Sequence, residues 1–270
     1  MGDYETSNSA DSVSEGGSNS EVVSVSQVAT PQVAIGLMML DISNGADNHG
    51  IRTKAYVDNI SSNQFTIHID AWSDTTLYNG AVSWLALAAD DPYFQIGVFD
   101  TQDVRSWDEP GNVVQRVNFP RTFESPPKVV VGISEFDIGD NWRLRVYATD
   151  IDAKGFTIHA ITWGSSDLYS VRASWIAFPA DKEGVWSGSF STEDVPGCYS
   201  SSGEDDFGIT FSKTPSVFMA LTEFDISHDY NLRVKLGTNS VTTSGLEWSI
   251  STWSDTALYM VGGMYVALEM

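Results

Sequence analysis

Residues 71–87 read AWSDTTLYNGAVSWLAL, residues 162–178 read TWGSSDLYSVRASWIAF, and residues 252–268 read TWSDTALYMVGGMYVAL. One phrase returning at intervals of about ninety residues constrains the fold more than any bulk property, because a period that long is a whole domain rather than a propeller blade or a solenoid turn. The likeness extends upstream through QFTIHIDAW, GFTIHAITW and GLEWSISTW. Further upstream stand VAIGLMMLDISNGADNHGIRTKAYV, VVVGISEFDIGDNWRLRVYA and VFMALTEFDISHDYNLRVKLG, and each unit opens on a short match, GDYET at 2, GVFDT at 97 and GSFST at 188. Three tandem units therefore fill the chain, at 1–89, 95–179 and 186–270. The linkers near Ala89 to Gln95 and Pro179 to Trp186 are short enough to keep neighbouring units adjacent. The opening MGDYET also fits the loose N-myristoylation pattern at Gly2, but Gly2 is better read as the first residue of the repeat.

Within each unit, Val, Ile, Thr, Tyr, Phe and Trp alternate with polar residues over short runs, and loop chemistry such as SNGADNHG, DEPG, SPPK and SSGEDD separates the runs. This predicts an all-β chain of three tandem six-stranded antiparallel β-sandwich modules. Apolar residues make up 42% of the 270, enough for each module to bury a core. The period-two pattern turns Phe156, Ile158, Ala160 and Thr162 inward and Thr157, His159, Ile161 and Trp163 outward. Phe65, Ile67, Ile69 and Ala71 oppose Thr66, His68, Asp70 and Trp72 in the same way, and Leu246, Trp248 and Ile250 oppose Glu247, Ser249, Ser251 and Trp253. A tryptophan ends the polar face each time, as a packing residue under a loop or as a stacking platform.

The net charge of −22 argues against nucleic acid and against insertion into or adhesion to an anionic membrane, both of which need a basic footprint or a long apolar run. Against that acidity, six of the fourteen cations sit at two equivalent positions of one strand type: Arg52 and Lys54, Arg143 and Arg145, Arg233 and Lys235. They serve either as interface salt bridges or as forked donors beside an aromatic ring, suited to vicinal hydroxyls. Cys198 is the single cysteine, which excludes an intrachain disulfide and a cysteine-based zinc site. Asp41, Asn44, Asp47 and Asn48 share a loop without EF-hand spacing and read as solvated, so no metal and no cofactor is expected. The polar, acidic start is no signal peptide, which makes a cytoplasmic location the expectation. Asn59 to Ser61 form a glycosylation sequon that has meaning only in a secreted chain.

The pieces PPKVVVGISEFDI, the Asn-x-Arg of NWRLRV and NLRVKL, and GFTIHAITWGSSDLYSVRASWIAF resemble, in this order and spacing, the H-type lectins, the family of snail agglutinins and of the carboxy-terminal discoidin domain. The resemblance covers all three units. It implies modules that assemble around a threefold axis, here an intramolecular pseudo-threefold trimer, and that bind galactose or N-acetylgalactosamine between neighbours without metal or catalysis. It carries the sugar-binding arginine onto Arg52, Arg143 and Arg233, and the asparagine two residues earlier onto Asn141 and Asn231, with Gly50 standing there in the first unit. The stacking tryptophan falls on Trp72, Trp163 and Trp253, the next residue on Ser73, Gly164 and Ser254, and the site tyrosine on Tyr78, Tyr169 and Tyr259. A hydroxyl-accepting loop carboxylate falls on Asp11 or Glu15, Asp108 or Glu109, and Asp205 or Asp206. The second and third units thus hold the fuller residue set. A multivalent lectin for glycans or glycoconjugates is the leading expectation, with further oligomerisation left open. A scaffold of the same fold without sugar affinity is the alternative. No catalytic triad is visible among His49, His68, His159 and His228, and an enzyme is not expected.

Overall fold

The computed structural model describes residues 1–6, 14–15, 18–27, 29–44, 50–194 and 200–270. Cys198, Asp11, Asp47, Asn48 and His49 lie outside the described residues. Module 1 supplies β1 (Gly2–Glu5), β2 (Ser14–Glu15), β3 (Ser18–Ser24), β4 (Pro31–Ile42), β5 (Ile51–Asp58), β6 (Gln64–Ala71) and β7 (Thr76–Ala88). Module 2 supplies β8 (Gln95–Asp100), β9 (Val113–Asn118), β10 (Lys128–Gly139), β11 (Trp142–Asp152), β12 (Gly155–Ile161) and β13 (Asp167–Phe178). Module 3 supplies β14 (Val185–Ser191), β15 (Ser200–Asp206), β16 (Ser216–Ile226), β17 (Leu232–Val241), β18 (Gly245–Ser251) and β19 (Leu258–Leu268). No α-helix occurs among the described residues, and hence no helix long and apolar enough to cross a membrane.

All pairings are antiparallel, and no sheet belongs to one module. The three sheets run β1-β7-β4-β17-β18-β15, β3-β6-β5-β10-β13-β8 and β14-β19-β16-β11-β12-β9, with β2 added beside β7. Each module is a sandwich of two three-stranded halves, and each half is completed to six strands by a neighbour. The joins are β5 with β10, β11 with β16, and β17 with β4. Modules 1, 2 and 3 are thereby closed into a ring by three equivalent joins, an order compatible with packing around a threefold axis.

The central strands β4, β10 and β16 each pack against the other two. Their sequences are apolar on both faces because one face fills the module's own core and the other meets its counterparts. At their contact stand the equivalent residues Gly36, Gly132 and Ala220. A Cβ on Gly36 would lie 2.4 Å from the Ala220 Cβ, and one on Gly132 would lie 2.5 Å from it. Beside them Ala34, Val130 and Phe218 hold equivalent places in a small central cluster with Leu85, Ile176 and Val266. A single chain can fill such a centre with three different side chains, one large ring against two small groups, which three identical chains could not do.

The inward faces are those the alternation marks: Phe65, Ile67, Ile69, Phe156, Ile158, Ala160, Leu246, Trp248 and Ile250 are buried. The central strands break the alternation at the same two points in every module. Register shifts fall between Leu37 and Met39, Ile133 and Glu135, Leu221 and Glu223, and again between Asp41 and Ile42, Asp137 and Ile138, Asp225 and Ile226. Bulges re-aim the side chains that follow them. Here Leu37 and Leu40, Ile133 and Phe136, Leu221 and Phe224 all reach the core, while the aspartate one step beyond is brought opposite the neighbouring module's arginine.

Candidate functional site

At each join an arginine from one module meets an aspartate from the next. Between modules 1 and 2, Arg52 opposes Asp137 in register, with Nε 3.2 Å from Oδ1. Between modules 2 and 3, Arg143 opposes Asp225, with Nε 3.3 Å from both carboxylate oxygens. Between modules 3 and 1, Arg233 opposes Asp41, with Nε 3.2 Å from Oδ1. Burial pushes the Asp41 and Asp137 carboxyls above their ordinary range, and the paired guanidiniums offset part of that rise.

The tryptophan loops lie against the same arginines. The Thr162 and Thr252 hydroxyls donate to the carbonyls of Arg143 and Arg233, each at 2.6 Å. The residue after each tryptophan is left-handed, at φ 59° for Ser73, 66° for Gly164 and 60° for Ser254. This turn aims the following residue, Asp74, Ser165 or Asp255, at the arginine or its neighbour. Arg52 Nη1 lies 2.7 Å from Asp74, and Arg233 Nη1 lies 2.6 Å from Asp255. The guanidinium of Arg233 holds the exposed Asp255 carboxyl below its ordinary range. At the middle join the counterpart is Ser165, which accepts from Asn141 Nδ2 instead. Neither Nη of Arg143 has a hydrogen-bond or ion-pair partner among the described residues.

Asn231 Oδ1 accepts from the backbone of Asn44, 3.1 Å away across the join to module 1. In module 1 the asparagine position is Gly50, and the Arg52 guanidinium fills the space, since a Cβ there would stand 2.9 Å from Nη2. Trp253 is 37% exposed, while Trp72 and Trp163 are half-buried. An indole contact from Trp253 reaches Asp41. In the strand order each tyrosine lies two strands from the neighbouring module's arginine. Tyr169 sits among Asp167, Asp137 and Asp140 with Arg52 as the cation that counts, and burial followed by those carboxylates raises its phenol above the ordinary value. By the same strand order Tyr259 belongs with Arg143 and Tyr78 with Arg233, both exposed.

The loop carboxylates divide. Asp108 and Glu109 lie on a loop that Arg105 pins to the start of β13, through Nη1 to the Tyr169 carbonyl at 2.8 Å and Nη2 to the Leu168 carbonyl at 2.7 Å. This sets them on the Tyr169 side of the first join, with Trp107 beside them, 60% exposed. Glu15 is in register with Thr76, close in sequence to Tyr78. Asp205 is not brought to a site: it opposes Leu246 at the far end of β18 from Trp253, and its Oδ2 accepts the Tyr265 hydroxyl at 2.5 Å. Asp206, opposite Gly245, lies at the same end. Among the described residues no group of three or more His, Cys, Asp or Glu is set to hold a metal ion.

Asp41, expected in a solvated loop, instead lies near the end of β4 opposite Arg233, while Asp137 and Asp225 were not anticipated; the phase slip in the apolar pattern was the available signal for all three. The sequence reading also missed Trp107 and the split between Ser165 and its aspartate counterparts.

A family model described as H-type lectin domain matches residues 28–87, 114–178 and 205–268. The protein "ATP synthase subunits region ORF 7" of Fuscovulum blasticum is 40% identical over 63 residues, a match covering 23% of this chain and 55% of that protein. The chain thus spans about half the length of this relative. Among solved structures, wild-type discoidin II from Dictyostelium discoideum is 20% identical with a TM-score of 0.29, over 59% of this chain and 80% of that one. Recombinant discoidin II of the same organism is similar at 20% identity and a TM-score of 0.29, over 60% of this chain and 82% of the other. With one family match in each module, together spanning more than half of its length, the chain belongs to the H-type lectin domain family.

Proposed function

We propose that this chain is a multivalent lectin that binds galactose or N-acetylgalactosamine at the joins between its modules, directly and without metal. The observation that carries the reading is the arginine held across each join by a neighbour's aspartate beside a tryptophan loop. The aspartate orients Nε and leaves the outer edge of the guanidinium to donate to paired hydroxyls. A nearby indole covers the apolar face of a sugar ring. Arg143, Asn141 and Trp163 with Tyr259 form the middle site. Arg233, Asn231 and Trp253 with Tyr78 form the one between modules 3 and 1, and Arg52 and Trp72 with Tyr169 the remaining one. Linking the three in one chain keeps the multivalency of a trimer while each site diverges.

A scaffold reading is favoured at two joins by a specific contact. Asp74 and Asp255 already occupy Nη1 of Arg52 and Arg233, so a sugar must displace a carboxylate there. The middle join has no such competitor among the described residues. Calorimetry of the full chain with N-acetylgalactosamine, with and without EDTA, tests the reading. The expected result is saturable binding that survives chelation. Absence of binding to galactose and N-acetylgalactosamine alike would leave the scaffold as the better account, and loss in EDTA restored by calcium would overturn the metal-free mechanism.

A further inference from the structure

The outward face of β11 continues past the middle site. Arg143, Arg145 and Tyr147 occupy alternate positions, so they share that face at steps of about 7 Å. Arg145 opposes Glu223 and is ion-paired with it. One step further Tyr147 opposes His159 on β12, and the two rings are stacked with centres 4.4 Å apart and planes 3° from parallel. The ladder between β11 and β16 ends at the Arg145–Glu223 rung. Beyond it a groove of about 440 Å³ opens between modules 2 and 3, with Arg145 and Tyr147 on one wall and Ser189, Ser191, Thr222 and Glu223 on the other. A second hollow of about 430 Å³ shares Val129, Ser189 and Met264 with it and leads on toward Pro127 and Ile151. Each is of the size that small-molecule sites commonly have, about 300–1,000 Å³.

We propose that this groove is an extended carbohydrate subsite, so that the middle join recognises a neutral oligosaccharide rather than a single terminal sugar. The inference rests on the lectin reading above. The terminal residue lies at Arg143 and Trp163, and an inner residue lies against Tyr147 with its hydroxyls toward Ser189, Ser191 and the Arg145–Glu223 pair. The lining selects the ligand class. The guanidinium of Arg145 is ion-paired with Glu223, and Glu193 stands 3.9 Å from it, so the groove's one cation among the described residues is already engaged, and Lys128 lines only the second hollow. Hydroxyls, a closed ion pair and one aromatic ring suit a neutral polyhydroxylated chain.

The other joins differ: a groove of about 370 Å³ lined by Tyr56, Val98, Asp100, Ser134 and Arg172 recurs at the first join with its ring already engaged, and the third join lacks the ring. In module 3 the places of Tyr147 and His159 are taken by Gly237 and Ser249, which oppose each other in register. In module 1 the stack persists as Tyr56 on His68, but Lys54 Nζ lies 5.1 Å from the Tyr56 ring centre and Asp58 is 3.0 Å from His68. Cation and carboxylate there already use the rings that a sugar would need.

The test is calorimetry on the full chain with N-acetylgalactosamine and with a neutral linear tetrasaccharide carrying that sugar at its non-reducing end. The tetrasaccharide should bind one site per chain about tenfold more tightly than the monosaccharide, the increment of one further stacked ring. Tyr147→Ala and Ser189→Trp, the second filling the groove from its exposed wall, should each remove that gain and leave the monosaccharide affinity unchanged. Arg143→Ala should weaken both sugars. Equal affinity of the wild type for the two sugars, or equal losses for both in Tyr147→Ala and Ser189→Trp, overturns the subsite and leaves the lectin reading standing. Failure of both sugars to bind the wild type overturns the two together.

Discussion

Arg143 reaches across a module boundary to Asp225, its Nε 3.3 Å from each carboxylate oxygen, and leaves both Nη atoms without a partner among the described residues. Arg52 and Arg233 hold equivalent places but are bracketed by two carboxylates each. The difference traces to one position after the tryptophan turn, Ser165 against Asp74 and Asp255. Ser165→Asp should therefore close the middle site and lower its sugar affinity about tenfold, the lower end of what a charged hydrogen bond contributes, because the position is exposed. Asp74→Ser and Asp255→Ser should raise affinity at their own joins. If calorimetry with a monovalent sugar finds all three variants unchanged, the competition account is wrong.

Removing the arginines should then have graded effects. Arg143→Ala should cost the middle site about tenfold to a hundredfold, from a lost hydrogen bond to a charged group of about 1.5–3 kcal/mol. Arg233→Ala and Arg52→Ala should change total binding less, with Arg52→Ala smallest because Gly50 supplies no asparagine partner. Binding stoichiometry, with circular dichroism as the control for folding, separates the three. A larger loss in Arg52→Ala than in Arg143→Ala would contradict the assignment.

The centre of the ring makes a stability prediction. Gly132→Val places side-chain atoms where a Cβ alone would stand 2.5 Å from Ala220. Overpacking of this kind typically costs about 1–3 kcal/mol. Because the strain falls where three modules meet, the expected signature is a lower denaturant midpoint for the whole chain. A midpoint equal to that of the wild type would show that the centre can open without cost.

Much of this was legible in the residues, because a strand with one wet face writes its orientation into period-two alternation. Phe156, Ile158 and Ala160 against His159 and Trp163 is such a case. The central strands were less legible. VVVGISEF is apolar on both faces and carries a bulge, so alternation reports neither its facing nor the place of Asp137. Sheet sharing was also hidden: nothing local in NWRLRV says that its ladder partner is EFDIS from the next unit. Side-chain type and the family resemblance single out Arg143 and Trp163 as candidates, whereas the pairing of each arginine with the neighbour's tyrosine came only from the closed strand order. The loop carboxylates were least legible, since Asp108 and Asp205 look alike in sequence, and only the Arg105 hydrogen bonds and the β15–β18 register separate a loop beside Tyr169 from the far end of a strand.

Asp205 accordingly has a structural part to play. It accepts the hydroxyl of the fully buried Tyr265, whose phenol is raised above its ordinary value by burial and then by that bond. Tyr265→Phe should cost about 1–3 kcal/mol by stranding the carboxylate, and it should leave sugar affinity untouched. A drop in sugar affinity without a drop in stability would return Asp205 to the list of site residues.

Arg233 lies between two carboxyls that titrate in opposite directions from the ordinary value. Burial raises Asp41, while the hydrogen bond from Arg233 lowers Asp255. As pH falls, Asp41 of module 1 should protonate first and Asp255 of module 3 last. The join between modules 3 and 1 then loses its charge partner before the contact within module 3 does. For Asp41 the folded state binds the proton more tightly than the unfolded state. From above down to the unfolded value of about 3.9, its protonation therefore adds to stability instead of subtracting. For Asp255 the sign reverses: its contribution is complete above about 3.9 and is lost as pH falls through the lower folded value. Protonation of Asp41, and with it the loss of its charge pairing to Arg233, should thus precede and be separable from acid unfolding, without loosening the join. Carboxyl carbon shifts of the two aspartates followed by NMR between pH 7 and 2, beside far-ultraviolet circular dichroism, would test the order. The prediction fails if Asp255 takes up its proton at a higher pH than Asp41.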